Sequence, residues 1–188
     1  MKLRHLLAIG FAAVLAAASL GGAFQARFDV KAVWKRYSMS DARLSVELPD
    51  DPARFTVPNR ERATSKAEVA QGPKLSVGKV IFRFSCVDYP EGSTIDIERA
   101  AQSAVASIMG THGVTEFKFS RTDLKVNGLP SIRLETKYQF NASPVSFWIL
   151  IVGEGEQLWQ ASAIFKTAMK DQEDLARRVL DSVRVEKH

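Results

Sequence analysis

The sequence predicts an α+β fold in which an antiparallel β-sheet is covered by helices on both faces, an α/β/α sandwich. Three observations predict it. Several segments alternate apolar and polar residues as strands do, tight-turn sequences join the later strands into hairpins, and two segments carry a helical apolar stripe. One strand, residues 145–152, is apolar on both faces, so it requires cover on both sides of the sheet.

The first strands are set apart by proline and glycine. Residues 44–48 alternate as a half-buried strand and stop at Pro49-Asp50-Asp51-Pro52. Residues 67–71 are expected to form a short strand that ends before Gly72-Pro73. Residues 80–87 alternate strongly and end at Tyr89-Pro90-Glu91-Gly92. These segments supply the first half of the sheet.

A helix follows the third predicted strand. Its apolar residues recur at the spacing of a single buried stripe: Ile97, Ala100, Ala101, Ala104, Val105, Ile108 and Met109. Asp96, alone or with Ser93, is suited to cap its start, and Gly110 or Gly113 to end it. A second helix is expected from Thr167 or Asp171 onward, and the short tail at 183–186 is a candidate final edge strand.

The middle of the chain is a run of hairpins. Strands are predicted at 115–126, 131–140, 145–152 and 158–165. Asn127-Gly128 is a strong two-residue hairpin turn, and Gly153-Glu154-Gly155-Glu156 turns the chain again. Trp148 and Trp159 fall in neighbouring strands, where they either pack in the core or border a ligand cleft; core packing is favoured because aromatic residues often stabilise sheets.

Residues 1–26 predict the location of the protein. Lys2 and Arg4 precede a charge-free run, residues 6–24, which reads as a signal peptide or as an N-terminal membrane anchor. Small residues allow cleavage after Ala18 or after Ala23. Basic residues close behind the run count against export, because in an uncleaved anchor they would favour a cytoplasmic C-terminal side. We expect an exported protein, periplasmic or extracellular, with anchoring to the inner membrane through residues 6–24 as the alternative.

The remainder is predicted to be a lead-in arm, residues 27–42, and one domain, residues 43–188. The whole chain carries a net charge of +5, and after removal of residues 1–26 there remain 24 basic and 21 acidic residues, a net charge of +3. That excess is too small to indicate a nucleic-acid partner. The single cysteine, Cys86, cannot form an internal disulfide and is expected to be buried.

Four short motifs resemble the PsbP-like family over roughly residues 37–187. They are Leu44-Ser45-Val46-Glu47-Leu48-Pro49, Asp88-Tyr89-Pro90, Asn127-Gly128-Leu129-Pro130 and Leu180-Asp181-Ser182-Val183-Arg184-Val185. Members of that family include an extrinsic subunit of photosystem II, a Ran-binding protein and secreted bacterial proteins. The resemblance implies an antiparallel sheet between helices. It brings no shared catalytic residues, because its motifs mark turns and core, and a fold does not supply a function.

Two basic segments are the weak candidates for an interaction surface. The first is Trp34, Lys35 and Arg36, which resembles an interfacial segment, although an arm whose aromatic residues cap the core is favoured because the stretch shows no sustained amphipathic period. The second is Arg54, Arg60 and Arg62, for which a solvated loop is the simpler explanation. No cofactor is expected.

No catalytic or metal-binding set stands out. The sequence has no G-x-S-x-G elbow and no glycine-rich phosphate loop. Asp88, Glu91, Asp96 and Glu98 are close in sequence but match no calcium loop, and His112 and His188 are far apart. We therefore expect a non-enzymatic module that binds or assists another envelope protein. The alternatives are a carrier of a small apolar ligand or lipid in a cleft beside the sheet and, third, an enzyme that uses these carboxylates.

Overall fold

The structure, a computed structural model, describes residues 33–39, 42–49, 68–77 and 79–186. Two antiparallel sheets and two helices make up this part of the chain. In chain order the elements are β1 (Trp34–Met39), β2 (Leu44–Pro49), β3 (Glu68–Val77), β4 (Val80–Asp88), α1 (Ile97–Met109), β5 (Val114–Val126), β6 (Leu129–Phe140), β7 (Ser143–Glu154), β8 (Gln157–Lys166), α2 (Lys170–Asp181) and β9 (Arg184–Val185).

The large sheet has six strands in the order β3-β4-β8-β7-β6-β5. Every neighbouring pair runs antiparallel, so the predicted class is confirmed. The turn at Asn127-Gly128 takes φ values of 51° and 83°, the left-handed conformation that a two-residue hairpin requires. Strand β7 lies inside the sheet and is buried on both faces, as its apolar sequence predicts.

The two faces of the large sheet carry different layers. Helix α1 packs with one alternation of β7, which includes Phe147, Ile149 and Ile151. The opposite alternation, which includes Trp148 and Leu150, packs with α2 and with the smaller sheet. The prediction of helices over both faces is therefore met only in part, because α2 shares its side with strands.

The smaller sheet was not predicted as a separate sheet. It has the order β1-β2-β9 and joins residues 34–39 of the expected lead-in arm to the end of the chain. Trp34 and Tyr37 pack against the core from this sheet. The candidate edge strand at 183–186 is confirmed as β9, which pairs with β2 at Leu44 and Ser45.

Strand β3 corrects one sequence prediction. The strand does not stop before Gly72-Pro73 but runs on to Val77, with a shift of register between Gln71 and Lys74. Proline cannot donate a ladder hydrogen bond, so it is tolerated at a bulge or on an edge strand. Strand β3 is the edge of the large sheet, which satisfies both conditions.

Helix α1 begins and ends where its sequence predicts. The Asp96 side chain accepts a hydrogen bond from the Arg99 N–H at 3.0 Å, and Gly110 follows the last turn. Neither described helix is long and apolar enough to cross a membrane. The segment predicted as signal or anchor, residues 1–26, lies outside the described residues.

Candidate functional site

A charged groove lies beside the end of α2, on the side of the large sheet opposite α1. Its volume is about 440 Å³, and it is open to solvent. Strands β1 and β2 form one wall, and α2 with the residue that begins β9 forms the other. Eight residues line it: Arg36, Glu47, Asp174, Arg177, Arg178, Asp181, Ser182 and Arg184. We call this feature the arginine groove.

The wall from the smaller sheet presents one ion pair. Arg36 and Glu47 face each other across β1 and β2, and Arg36 Nη2 donates to Glu47 Oε1 at 3.0 Å. Arg36 Nη1 also donates to the carbonyl oxygen of Ser182 at 3.0 Å. Arg36 thus fixes the end of α2 against β1 while its charge is matched by Glu47.

The wall from α2 presents two arginines that stack on tryptophan rings. The Arg177 guanidinium carbon lies 4.7 Å from the centre of the Trp148 ring, and that of Arg178 lies 3.6 Å from the centre of the Trp34 ring. Arg177 also donates to Glu135 at 3.2 Å and to Glu173 at 3.4 Å. Stacking orders an arginine without using its N–H groups, so those of Arg178, unlike those of Arg177, remain available to a ligand.

Ser182 joins β2 to the end of α2 at the base of the groove. Its hydroxyl accepts a hydrogen bond from the Glu47 backbone N–H at 2.8 Å and donates one to the Val179 carbonyl at 2.7 Å. Nearby, Asp181 pairs with Arg133 of β6. The Arg184 guanidinium donates to the carbonyl oxygens of Asp181 and Val183 at 3.3 and 2.8 Å. The groove is therefore built on a fixed backbone.

The chemistry of these side chains suits binding. Arginine remains protonated and does not transfer protons, and the Ser182 hydroxyl is already engaged in two hydrogen bonds. The lining contains neither histidine nor cysteine nor lysine. In the described ranges, no group of three or more His, Cys, Asp or Glu side chains is arranged to hold a metal ion.

The carboxylates near α1 have separate structural partners. Asp88 accepts hydrogen bonds from Arg43 and Gln157, and Asp96 caps α1. Glu98 pairs with Arg121 of β5, and the hydrogen bond from Arg121 holds the Glu98 pKa below its usual range. They do not converge on one site.

The sequence candidates have different outcomes. Arg36 lines the arginine groove, and Trp34 lies beneath one of its arginines, whereas Lys35 is not part of the lining. Arg54, Arg60 and Arg62 lie outside the described residues, so their role stays a prediction. Trp148 and Trp159 are fully buried and pack in the core.

Sequence reasoning missed the residues that α2 and the chain end contribute. Arg177-Arg178 is an adjacent arginine pair, and Asp181-Ser182-Val183-Arg184 belongs to a family motif and overlaps the candidate edge strand at 183–186. This arginine pair was the one local feature of the sequence that could have indicated the groove. Its meaning depends on β1, which contacts this helix end from 146 residues away in sequence.

Comparison with known proteins identifies the fold. No family model and no curated protein matches this sequence. The solution structure of PsbP (CyanoP) from the cyanobacterium Synechocystis is 12% identical, with 88% of this chain and 98% of that chain covered and a TM-score of 0.56. The predicted PsbP-like resemblance is thereby shown at the level of fold.

Two further solved structures are similar but superpose less closely. The Saccharomyces cerevisiae Ran-binding protein Mog1p is 10% identical, with 82% of this chain and 96% of that chain covered and a TM-score of 0.49. Mycobacterium tuberculosis LpqN, described as involved in cell envelope biogenesis, is 12% identical, with 84% and 86% covered and a TM-score of 0.44. At such identities, the similarity concerns the fold alone.

Proposed function

We propose that this chain is a non-enzymatic, exported module that binds another protein of the cell envelope through the arginine groove. The observation that carries the proposal is the stacking of Arg178 on Trp34, 3.6 Å apart. Arginine and tryptophan are the residues most enriched among those that dominate protein–protein binding energy. Here they form a stacked pair at the rim of a groove, with Arg178 exposed and Trp34 partly buried.

The groove offers binding chemistry and little reaction chemistry. Its charged side chains are arginines and carboxylates, and its one hydroxyl serves the fold. A catalytic site would require a nucleophile or a proton-transfer group held in reach of a substrate, whereas two of the three lining carboxylates, Glu47 and Asp181, are held in ion pairs with Arg36 and Arg133. The charged lining therefore fits a binding role better than a catalytic one.

A carrier of an apolar ligand is less well supported. Sites for such ligands are lined mainly by apolar and aromatic side chains. The arginine groove is large enough for a small molecule, but its lining is charged. The tryptophans that were candidates for an apolar cleft, Trp148 and Trp159, are enclosed in the core.

The export component rests on residues 1–26. A basic start followed by the charge-free run at 6–24 is the composition that the secretion machinery recognises. Fractionation of the native cells, with mass spectrometry of the purified chain, checks this part separately. A mature protein that begins near residue 19 or 24 supports a signal peptide. An intact Met1 terminus in the membrane fraction supports an anchor, and a cytoplasmic location would overturn export.

Position-dependent crosslinking tests the binding component. A photoreactive amino acid placed at Asp174, an exposed lining residue, should capture a specific envelope protein in intact cells. The same group at Gln102, exposed on α1 across the sheet, is the matched control. An adduct at both positions, or at neither, would count against the proposal.

A further inference from the structure

We infer that the arginine groove recognises carboxylate groups of an acidic segment in its protein partner, with Arg178 and Arg184 as the recognition residues. This inference rests on the proposed function and names the chemistry of that partner. It follows from an imbalance among the charges of the groove, because some arginines are matched by carboxylates of the chain itself and others are not.

The matched arginines are Arg36 and Arg177. Arg36 pairs with Glu47 at 3.0 Å, and Arg177 pairs with Glu135 and Glu173 at 3.2 and 3.4 Å. Their charges are largely compensated inside the molecule. These two residues therefore shape the groove and hold its walls together.

The unmatched arginines are Arg178 and Arg184. Arg178 rests on the Trp34 ring, and Arg184 donates to two backbone carbonyls of its own segment. Within the described part of the chain, neither forms a salt bridge with a carboxylate. Two ordered guanidinium groups with spare donors, in one groove, suit carboxylates, which arginine binds through paired hydrogen bonds.

The carboxylates of the lining favour a peptide over a phosphate or a lipid surface. Glu47, Asp174 and Asp181 lie in the same groove as the arginines. A phosphate or a continuous anionic membrane brings no backbone N–H donor to these carboxylates, so their repulsion is not offset, whereas an acidic peptide does bring such donors. A peptide can place an acidic side chain over Arg178 or Arg184 and a backbone N–H or a basic side chain beside Asp174. A peptide that carries both acidic groups and N–H donors therefore fits a lining that carries both arginines and carboxylates.

Titration of the full chain with hexaglutamate tests the inference. Trp34 provides the signal, since it lies under Arg178 while Trp148 and Trp159 are buried. We expect a saturable change in tryptophan emission with hexaglutamate and none with hexaglutamine. Replacement of both arginines, Arg178→Gln with Arg184→Gln, should weaken the affinity by about tenfold, as expected for two exposed charge pairs. Calorimetry gives the same comparison without the fluorescence of Trp34.

The matched control is Arg99→Gln, an exposed arginine on α1 across the sheet. It removes one positive charge, as Arg178→Gln or Arg184→Gln alone does, and should leave the affinity unchanged. Equal affinity of the doubly substituted chain and the original chain would overturn the inference, as would an equal loss in the Arg99 variant. Tighter binding of inorganic phosphate, or arginine-dependent binding to phosphatidylglycerol vesicles but not to hexaglutamate, would assign the groove to another ligand class and also overturn it.

The crosslinking experiment separates failure of this inference from failure of the proposed function. The photoreactive group at position 174 should lose its envelope adduct when Arg178 and Arg184 are replaced. If the adduct persists at full yield, the partner binds the groove without using these arginines. In that case the proposed function stands, and the acidic segment is ruled out.

Discussion

Ser182 and Glu47 lie 135 residues apart in sequence and are joined by a hydrogen bond that closes an open strand edge. Strand β9 pairs with β2 only at Leu44 and Ser45, so the edge of β2 continues past its partner. The Ser182 hydroxyl takes over at that point and accepts the Glu47 N–H at 2.8 Å. The Ser182 side chain, at the end of α2, thus takes the place of a strand carbonyl in the hydrogen bonding of β2.

Replacing Ser182 with alanine should destabilise the fold. The change leaves the part-buried Glu47 N–H without its acceptor. A buried unmatched donor costs about 1–3 kcal/mol, so we expect a loss near the lower end of that range. Chemical unfolding measures the loss. Ser120→Ala, an exposed serine in β5, is the matched control and should change stability by less than about 0.5 kcal/mol. Equal stability of the two variants would show that the hydrogen bond contributes little.

The contact between Arg178 and Trp34 should be measurable as a coupling energy. Trp34→Ala, Arg178→Gln and the double variant form a thermodynamic cycle, and stacking at an exposed site contributes about 0.5–1 kcal/mol. The same cycle with Arg99→Gln in place of Arg178→Gln should be additive, because Arg99 is on α1 across the sheet. A coupling energy of zero in the first cycle would mean that the rings and the guanidinium are merely adjacent.

Cys86 should resist thiol reagents in the folded protein. Burial raises the pKa of the thiol to about 11, and the positive charge and hydrogen bond of Arg43 oppose that rise without cancelling it. Little thiolate therefore forms at pH 8, and the sulfur is shielded from solvent. With a disulfide reagent, we expect slow labelling of the native chain and rapid labelling of one thiol per chain in urea. Rapid native labelling would contradict the buried position.

The same thiol gives a pH dependence with a definite sign. In the unfolded chain, Cys86 titrates near pH 9.0, whereas in the folded chain its pKa is about 11. The folded state binds the thiol proton more tightly than the unfolded state does. The contribution of this thiol to folding stability is therefore complete below pH 9 and is lost as the pH rises toward 11. Tyr138, whose pKa burial raises to about 12, acts in the same direction at higher pH. In the Cys86→Ala variant, the free energy of unfolding should fall less steeply between pH 9 and 11 than in the original chain. An unchanged slope would mean that other groups cause the fall in stability.

Gly153 should not tolerate alanine, because the start of α1 lies directly against it. A Cβ at this position would overlap the Cγ2 atom of Ile97 and lie 2.9 Å from that of Ile95. Overpacking of this kind costs about 1–3 kcal/mol. Adding Ile97→Ala removes the overlapping methyl group. The double variant should therefore lose less stability than the sum of the losses in the two single variants. Additive losses would show that the helix start simply shifts away.

Local signals predicted most of the large sheet and α1. The stripe from Ile97 to Met109 and the Asp96 cap define α1, and the Asn127-Gly128 turn sets the register of β5 and β6. The continuation of β3 past Gly72-Pro73 was not predictable in the same way, since a Gly-Pro pair has the same local chemistry at a strand end and at an edge bulge. Its position at the edge of the sheet decides between them.

The smaller sheet and the arginine groove depend on long-range contacts. Trp34 and Arg36 were singled out by composition, but nothing local indicates that the end of α2 lies against them. Arg178 looks like one exposed charge among many on a polar helix face. Its significance arises from the missing carboxylate and the tryptophan beneath it, and both are properties of the folded chain.

If residues 6–24 remain in a membrane, the start of β1 at Trp34 limits how far the groove can lie from it. Trp34 is both the first residue of the strand and the ring beneath Arg178. From Phe24, the end of the charge-free run, the chain advances ten residues to reach it, and ten residues span about 36 Å at most. An uncleaved segment would therefore tether the groove within that reach of the bilayer, so its partners would be membrane proteins or their nearest extracytoplasmic loops. Cleavage would release the domain, and the groove could then reach partners away from the membrane. One proteolytic event would thus decide whether the groove meets membrane-bound or freely diffusing partners.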